Sequence, residues 1–210
     1  MNFVKFVIKI LLMEKEITEY KLAKQLFMLG KEIILTDEAQ QMKNFTQHGT
    51  TSVFEHAISV TKYALLFAIA LENSIFHVKI DKRSLVRGAL LHDYFLYDWH
   101  KPSEKRYGLH GYTHPAIACK NAIADFNINE IEQDIIKHHM FPLTIIWPRH
   151  IEGWLVCLAD KWCATCETFK VDISSYVLYR VNLRYQLSRG LVTIGKKLEE
   201  ETLTEDGAIE

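Results

Sequence analysis

Apolar residues in this chain recur at three- and four-residue steps almost throughout, and that period constrains the fold more than any other property of the sequence. Between residues 52 and 71, for example, Val53, Ala57, Val60, Ala64, Phe67 and Leu71 would form one stripe along a 3.6-residue helix. Four prolines and nine glycines in 210 residues leave few places where a helix must stop. No convincing set of alternating strands is visible. The expected class is therefore all-α, a single-domain helical bundle, with 49% hydrophobic residues to supply one substantial core. Helices are predicted over 15–29, from about 37, over 52–71, 81–96, 115–126, 129–140, 151–169 and 174–200. Asp81 and Asn129 are placed to start the helices that follow them, Pro115 suits a first helical turn, and the segment WHKPSEKRYGLHGYTHP between two helices reads as a loop. The chain divides into an N-terminal helical extension (1–30), the helical domain (31–200) and a flexible acidic tail (201–210).

Within this apolar pattern the run GALLHDYFLYDWH carries a histidine and a carboxylate side by side. On a helix, His92 has Gly88, Ala89, Phe95 and Leu96 one turn away, and Asp93 has Ala89, Leu90, Leu96 and Tyr97. Neither lies on a polar face. Burying an ionised carboxylate costs several kcal/mol unless a cation or hydrogen-bond donors compensate it, and a metal ion would do so. Asp160, in WLVCLADKWCATC, meets the same test: its helical neighbours are Val156, Cys157, Cys163 and Ala164. His56, in SVFEHAISV, lies at the margin of the 52–71 stripe. Helical bundles build metal sites by converging such side chains from separate helices.

His56, then LLHDY with His92 and Asp93, then LAD with Asp160, together resemble the HD-domain superfamily of metal-dependent phosphohydrolases over about half the chain. The resemblance implies an all-helical HD-type domain in which these four residues hold a divalent ion that binds substrate phosphate and activates water. A subset of that superfamily binds two ions, using extra histidines between the pair and the last Asp. The candidates are His114 in GYTHPAIA and His138 or His139 in IIKHHMFPL, with Asp93 bridging. His139, one turn after Ile135 and Ile136, faces slightly more inward than His138. The chain departs from two subfamily patterns: where some members carry Ile-Gly-Lys, and the alarmone hydrolases a Glu-Asp, it has Tyr94, Phe95, Leu96 and Tyr97. Asp98 is a candidate for proton transfer or for orienting a ligand histidine. Lys101, Lys105, Arg106 and Lys161 are candidates for contact with substrate phosphate.

The expected function is hydrolysis of a phosphate ester, in a nucleotide or other small phosphorylated metabolite, by metal-activated water. No Ser-His-Asp signature and no Gly-rich phosphate loop is present. One or two divalent ions are implied. His-rich ligation suits iron, manganese, nickel, cobalt or zinc, whereas magnesium prefers oxygen ligands. Two other readings share the ligand set: a catalytically silent sensor that binds metal or nucleotide, and a di-iron protein of oxygenase type.

The remaining features are structural or exclude partners. Twenty-five basic against twenty-six acidic residues, a net charge of -1, give no reason for stable nucleic-acid binding. Cysteines at 119, 157, 163 and 166 form no secreted disulfide framework, which fits a reducing cytoplasm, and CATC lies inside a predicted helix as packing. The N-terminal MNFVKFVIKILLM, interrupted by Lys5 and Lys9, is shorter than the roughly 20 residues of a transmembrane span. It reads as a docking helix, and with the long C-terminal helix it offers surfaces for a homodimer. His48, His77, His110 and His150 are expected to have no catalytic duty, while His100 is placed to line the pocket.

Overall fold

A computed structural model describes residues 19–74, 78–101, 109–170 and 175–188. Among these the chain forms α1 (Glu19–Ile34), a short α2 (Asp37–Gln40) running into a 3-10 turn (Gln41–Asn44), a hairpin of β1 (Thr46–His48) and β2 (Thr51–Ser52), then α3 (Val53–Glu72), α4 (Lys82–Leu91), α5 (His110–Phe126), α6 (Glu130–His138), α7 (Ile151–Thr168) and α8 (Ser175–Ser188). The architecture is all-α, with one antiparallel two-stranded hairpin as an addition that the sequence pattern does not signal.

The central element is α3. Ser52 opens it through a capping box: its Oγ accepts from Glu55 N at 3.2 Å, and Glu55 Oε2 accepts from Ser52 N at 2.8 Å. Sixteen of its twenty residues are buried, so it is enclosed on nearly all sides, with α4 and α7 packed directly against it. Length and apolarity alone would let α3 cross a bilayer, but here it is the core helix of the bundle. Leu22, Leu26 and Ile33 of α1 belong to the same core, with no break in packing at residue 30. Asp81 caps α4 by accepting from Arg83 N and Ser84 N, both at 3.1 Å, and Asn129 caps α6 by accepting from Glu132 N at 2.8 Å.

Several helix limits differ from the sequence reading, among them the end of α1, which runs to Ile34 rather than 29. The fourth predicted helix stops at Leu91 rather than 96, because Tyr94 and Phe95 are both buried against α5 and the chain leaves the helical path to place them. Tyr94 lies 5.3 Å from Phe126 and Phe95 4.8 Å from His110, ring to ring, and Leu96 follows in the left-handed region at φ 51°. The expected loop up to Pro115 is also shorter: α5 begins at His110, so the proline is the sixth helical residue. A proline cannot bond the carbonyl four residues back, here that of Gly111, and His114 Nδ1 donating to His110 O at 2.8 Å helps hold that turn. The predicted segments 1–13 and 201–210, and the part of the last helix beyond 188, lie outside the described residues.

Candidate metal centre

Five elements deliver side chains to one buried point. His56 comes from the first turn of α3, His92 and Asp93 from the end of α4, His114 from α5, His139 from the residue that closes α6, and Asp160 from the middle of α7. All are at most 9% exposed. His56 Nε2 lies 3.1 Å from Asp160 Oδ1 and 3.9 Å from Asp93 Oδ2, and His92 Nε2 lies 3.3 Å from Asp93 Oδ2 and 3.8 Å from Asp160 Oδ1. On the other side of the Asp93 carboxylate, His114 Nε2 and His139 Nε2 lie 3.1 and 3.5 Å from Oδ1 and 2.9 Å from each other.

The four imidazoles share one orientation. Each commits Nδ1 to a fixed acceptor, leaving Nε2 pointed at the centre: His92 to Ala89 O at 2.7 Å, His114 to His110 O and His139 to Ile136 O at 2.8 Å, and His56 to the Glu167 carboxylate at 2.9 and 3.1 Å. Such bonds set the tautomer in metal-binding histidines. His92 Nε2 and Asp93 Oδ1 are buried with no hydrogen-bond partner, an arrangement costly for a folded protein unless something else binds there. The donor set therefore fits a divalent ion, and among the three groups of three ligands that can be drawn, two share Asp93, His56–His92–Asp93 and Asp93–His114–His139.

The electrostatics carry the same strain. Burial alone would raise the Asp93 carboxyl, but the charges of His92 and His114 outweigh it and hold it well below the ordinary carboxylate range. Burial likewise opposes ionisation of Asp160, which the hydrogen bond from His56 and the charge of His92 overcome, so it too titrates low. At His56 burial disfavours the proton, yet the hydrogen bonds to Asp160 and Glu167 prevail and push its pKa up to about 10. Burial dominates at His139 and pushes it down to about 3.

Other predicted site residues are placed elsewhere. His138 turns away from the centre and pairs with Asp134 Oδ1 at 2.7 Å. Asp98 does not reach the cavity: it pairs with Lys101 at 3.1 Å, and the Lys101 side chain is 81% exposed. His100 also lies outside the cavity lining, half-exposed against Trp99. His100 and Lys101 are exposed, whereas Trp99 between Asp98 and His100 lines the cavity. Lys105 and Arg106 lie outside the described residues. Lys161 is at the cavity rim, its Nζ donating to His139 O at 2.9 Å and standing 3.9 Å from Asp160 Oδ2.

The structure adds residues that the sequence reading passed over. Gln47, in the hairpin, donates from Nε2 to Asp93 Oδ2 at 2.6 Å. Glu167 holds His56 and could have been found by spacing, since it lies seven residues, two helical turns, beyond Asp160. His110, named in the sequence without a catalytic duty, lines the cavity, stacked between Trp99 and His114 with centroids 4.8 and 4.6 Å away. A cavity of about 800 Å³ opens over Asp93, His114, His139 and Asp160, with Trp99, Leu109, Met140 and Leu143 on its apolar wall.

Comparison with known proteins gives the same architecture a family. A curated relative, the dihydroneopterin 2',3'-cyclic phosphate phosphodiesterase of Methanocaldococcus jannaschii, is 29% identical over 133 residues, covering 61% of this chain and 52% of the relative. The chain thus spans about half the length of that protein. No solved structure matches this chain. The HD domain family matches residues 53–165, more than half of the 210 residues and the span that holds His56, His92, Asp93, His114, His139 and Asp160. The chain belongs to the HD domain family, the family that its ligand pattern resembles.

Proposed function

We propose that this protein hydrolyses a phosphodiester of a small metabolite, a nucleotide or a related heterocyclic compound, using two divalent ions. One observation carries the reading: four Nε2 atoms and two carboxylates converge in the interior, and two of those polar atoms are left without a hydrogen-bond partner. His56, His92 and Asp160 with Asp93 Oδ2 would hold one ion, and His114 and His139 with Asp93 Oδ1 the other. Iron, manganese, cobalt, nickel or zinc suits this nitrogen-rich set. When bound, such ions lower the pKa of water and offset charge on phosphoryl oxygens, so a side-chain nucleophile is not required.

The chain's own residues orient the reaction. Gln47 fixes the Asp93 carboxylate from outside the helices and stands among the residues that line the cavity. The Lys161 ammonium, anchored on the His139 carbonyl, supplies a positive charge at the rim for an incoming phosphate oxygen. The apolar wall suits a flat or hydrocarbon-rich remainder. The name of the archaeal relative points to a 2',3'-cyclic phosphate as the first ester to try.

The test is metal analysis of protein purified without chelators, then a panel of 2',3'-cyclic nucleotides, 3',5'-cyclic nucleotides, nucleoside triphosphates and bis-p-nitrophenyl phosphate with added manganese. Metal-dependent cleavage of a diester is expected, and Asp93→Ala should abolish it while keeping the helical far-UV spectrum. Full activity in that variant would sink the reading. Bound metal without turnover would indicate a sensor, and an oxygen requirement would indicate oxidative chemistry.

A further inference from the structure

We infer that Glu167 is a positioning residue for His56 and makes the His56 side of the centre the tighter of two metal sites, an inference that rests on the metal-binding reading above. Among the four inward histidines, His56 differs in what holds it. The Nδ1 atoms of His92, His114 and His139 donate to neutral backbone carbonyls, those of Ala89, His110 and Ile136. His56 Nδ1 instead meets both oxygens of a carboxylate, at 2.9 and 3.1 Å. That carboxylate belongs to a side chain only 5% exposed. Donation to an anion raises the basicity of the opposite nitrogen more than donation to an amide carbonyl, and a carboxylate–histidine pair also fixes the plane of the ring.

The placement is specific to α7. Asp160 and Glu167 lie two turns apart on one helix face and reach the two nitrogens of a single imidazole, Asp160 Oδ1 at 3.1 Å from Nε2 and Glu167 Oε2 at 2.9 Å from Nδ1. One helix therefore supplies both a ligand of the first site and the group that aims its neighbour. Glu167 falls just beyond the segment matched by the family, which ends at residue 165. His48, with His56 and Glu167, forms a third group whose ligand atoms lie within 4.8 Å of one another. Using it for a separate ion would require His56 to offer both nitrogens to cations, whereas the Nδ1–carboxylate hydrogen bond uses one.

Calorimetric titration of chelator-treated protein with manganese tests this directly. The wild type should take up two equivalents of unequal affinity. Glu167→Ala should weaken the tighter equivalent about 10- to 100-fold and leave the weaker one in place, and Glu167→Gln, whose amide oxygen can still accept from Nδ1, should lose less. His114→Ala should remove the weaker equivalent alone. Unchanged tight binding in Glu167→Ala would overturn the inference, as would equal weakening of both equivalents or a third equivalent lost with Glu167. Should the variants fail to fold, ¹⁵N-histidine NMR of zinc-loaded wild type decides: a proton on His56 Nδ1 supports the inference, and zinc on Nδ1 overturns it. A wild type that takes up no metal would instead strike the metal-binding reading itself.

Discussion

At the scale of single residues, adjacent histidines 138 and 139 separate two kinds of role. His139 is 1% exposed and sends Nε2 to the centre, so its loss removes a direct donor to the second group of ligands. Removing even an outer partner of a metal ligand costs about 10- to 100-fold, and His139→Ala is expected to lose at least about 100-fold in activity and the weaker metal equivalent. His138 is bound to Asp134, whose other oxygen accepts from Arg149 N at 2.8 Å and His150 N at 3.0 Å, tying α6 to the start of α7. His138→Ala should therefore cost about 0.5–1.5 kcal/mol of stability and leave metal stoichiometry unchanged; parallel thermal melts and metal titrations of both variants check the pair. The inward preference of His139 was legible because its neighbours one turn back are both isoleucines. Glu167 was legible in principle from helical spacing. Gln47 was not, since it reaches Asp93 from a hairpin whose few residues carry no period and whose contact spans 46 positions of sequence.

At the scale of elements, α4 packs tightly against α6 at Gly88, where an added Cβ would lie 2.5 Å from Ile135 Cδ1 and 3.0 Å from Ile135 Cβ. Both residues stand one turn before a ligand, Gly88 before His92 and Ile135 before His139, whose rings meet edge-on at 4.9 Å. The glycine thus sets the distance between two walls of the centre. Ile135 is fully buried and its Cβ cannot swing aside, so Gly88→Ala should cost about 1–3 kcal/mol by overpacking and lower Tm by several degrees. It should also weaken manganese binding, because the helices must separate where the ligands face each other. A variant as stable and as tight-binding as wild type would show that the interface has slack. The existence of these helices was legible from apolar period, and their capping from Asp81 and Asn129. Their ends were harder, because the stop after Leu91 is set by where Tyr94 and Phe95 find partners on α5, a tertiary demand that local sequence does not express.

For the molecule as a whole, the centre links stability, proton binding and metal binding. Without metal, His56 holds a proton between Asp160 and Glu167 with its pKa raised from an ordinary 6.5 to about 10. A group whose folded pKa is raised contributes stability that is complete below its unfolded pKa and is lost as pH climbs through the folded one. The upward shift at His114, where burial is outweighed by the Asp93 charge, acts in the same sense. His139 acts oppositely, but its depressed pKa, about 3, makes it a cost below pH 6.5, outside this window. The contribution of the centre to the stability of chelator-treated protein should therefore decline from pH 6.5 toward 10. The manganese-loaded protein should behave differently, because ligand protons must leave before the ion binds and affinity rises with pH. At a free metal concentration 100 times Kd the gain is about 2.7 kcal/mol, or about 5–10 °C in Tm for a chain of this size. Melting curves with and without manganese, taken at pH 6.5, 7.5 and 8.5, should show that gap widening at each step. A gap that stays constant would mean that the ion does not displace the His56 and His114 protons, and that the cation and the protons do not compete for the same buried nitrogens.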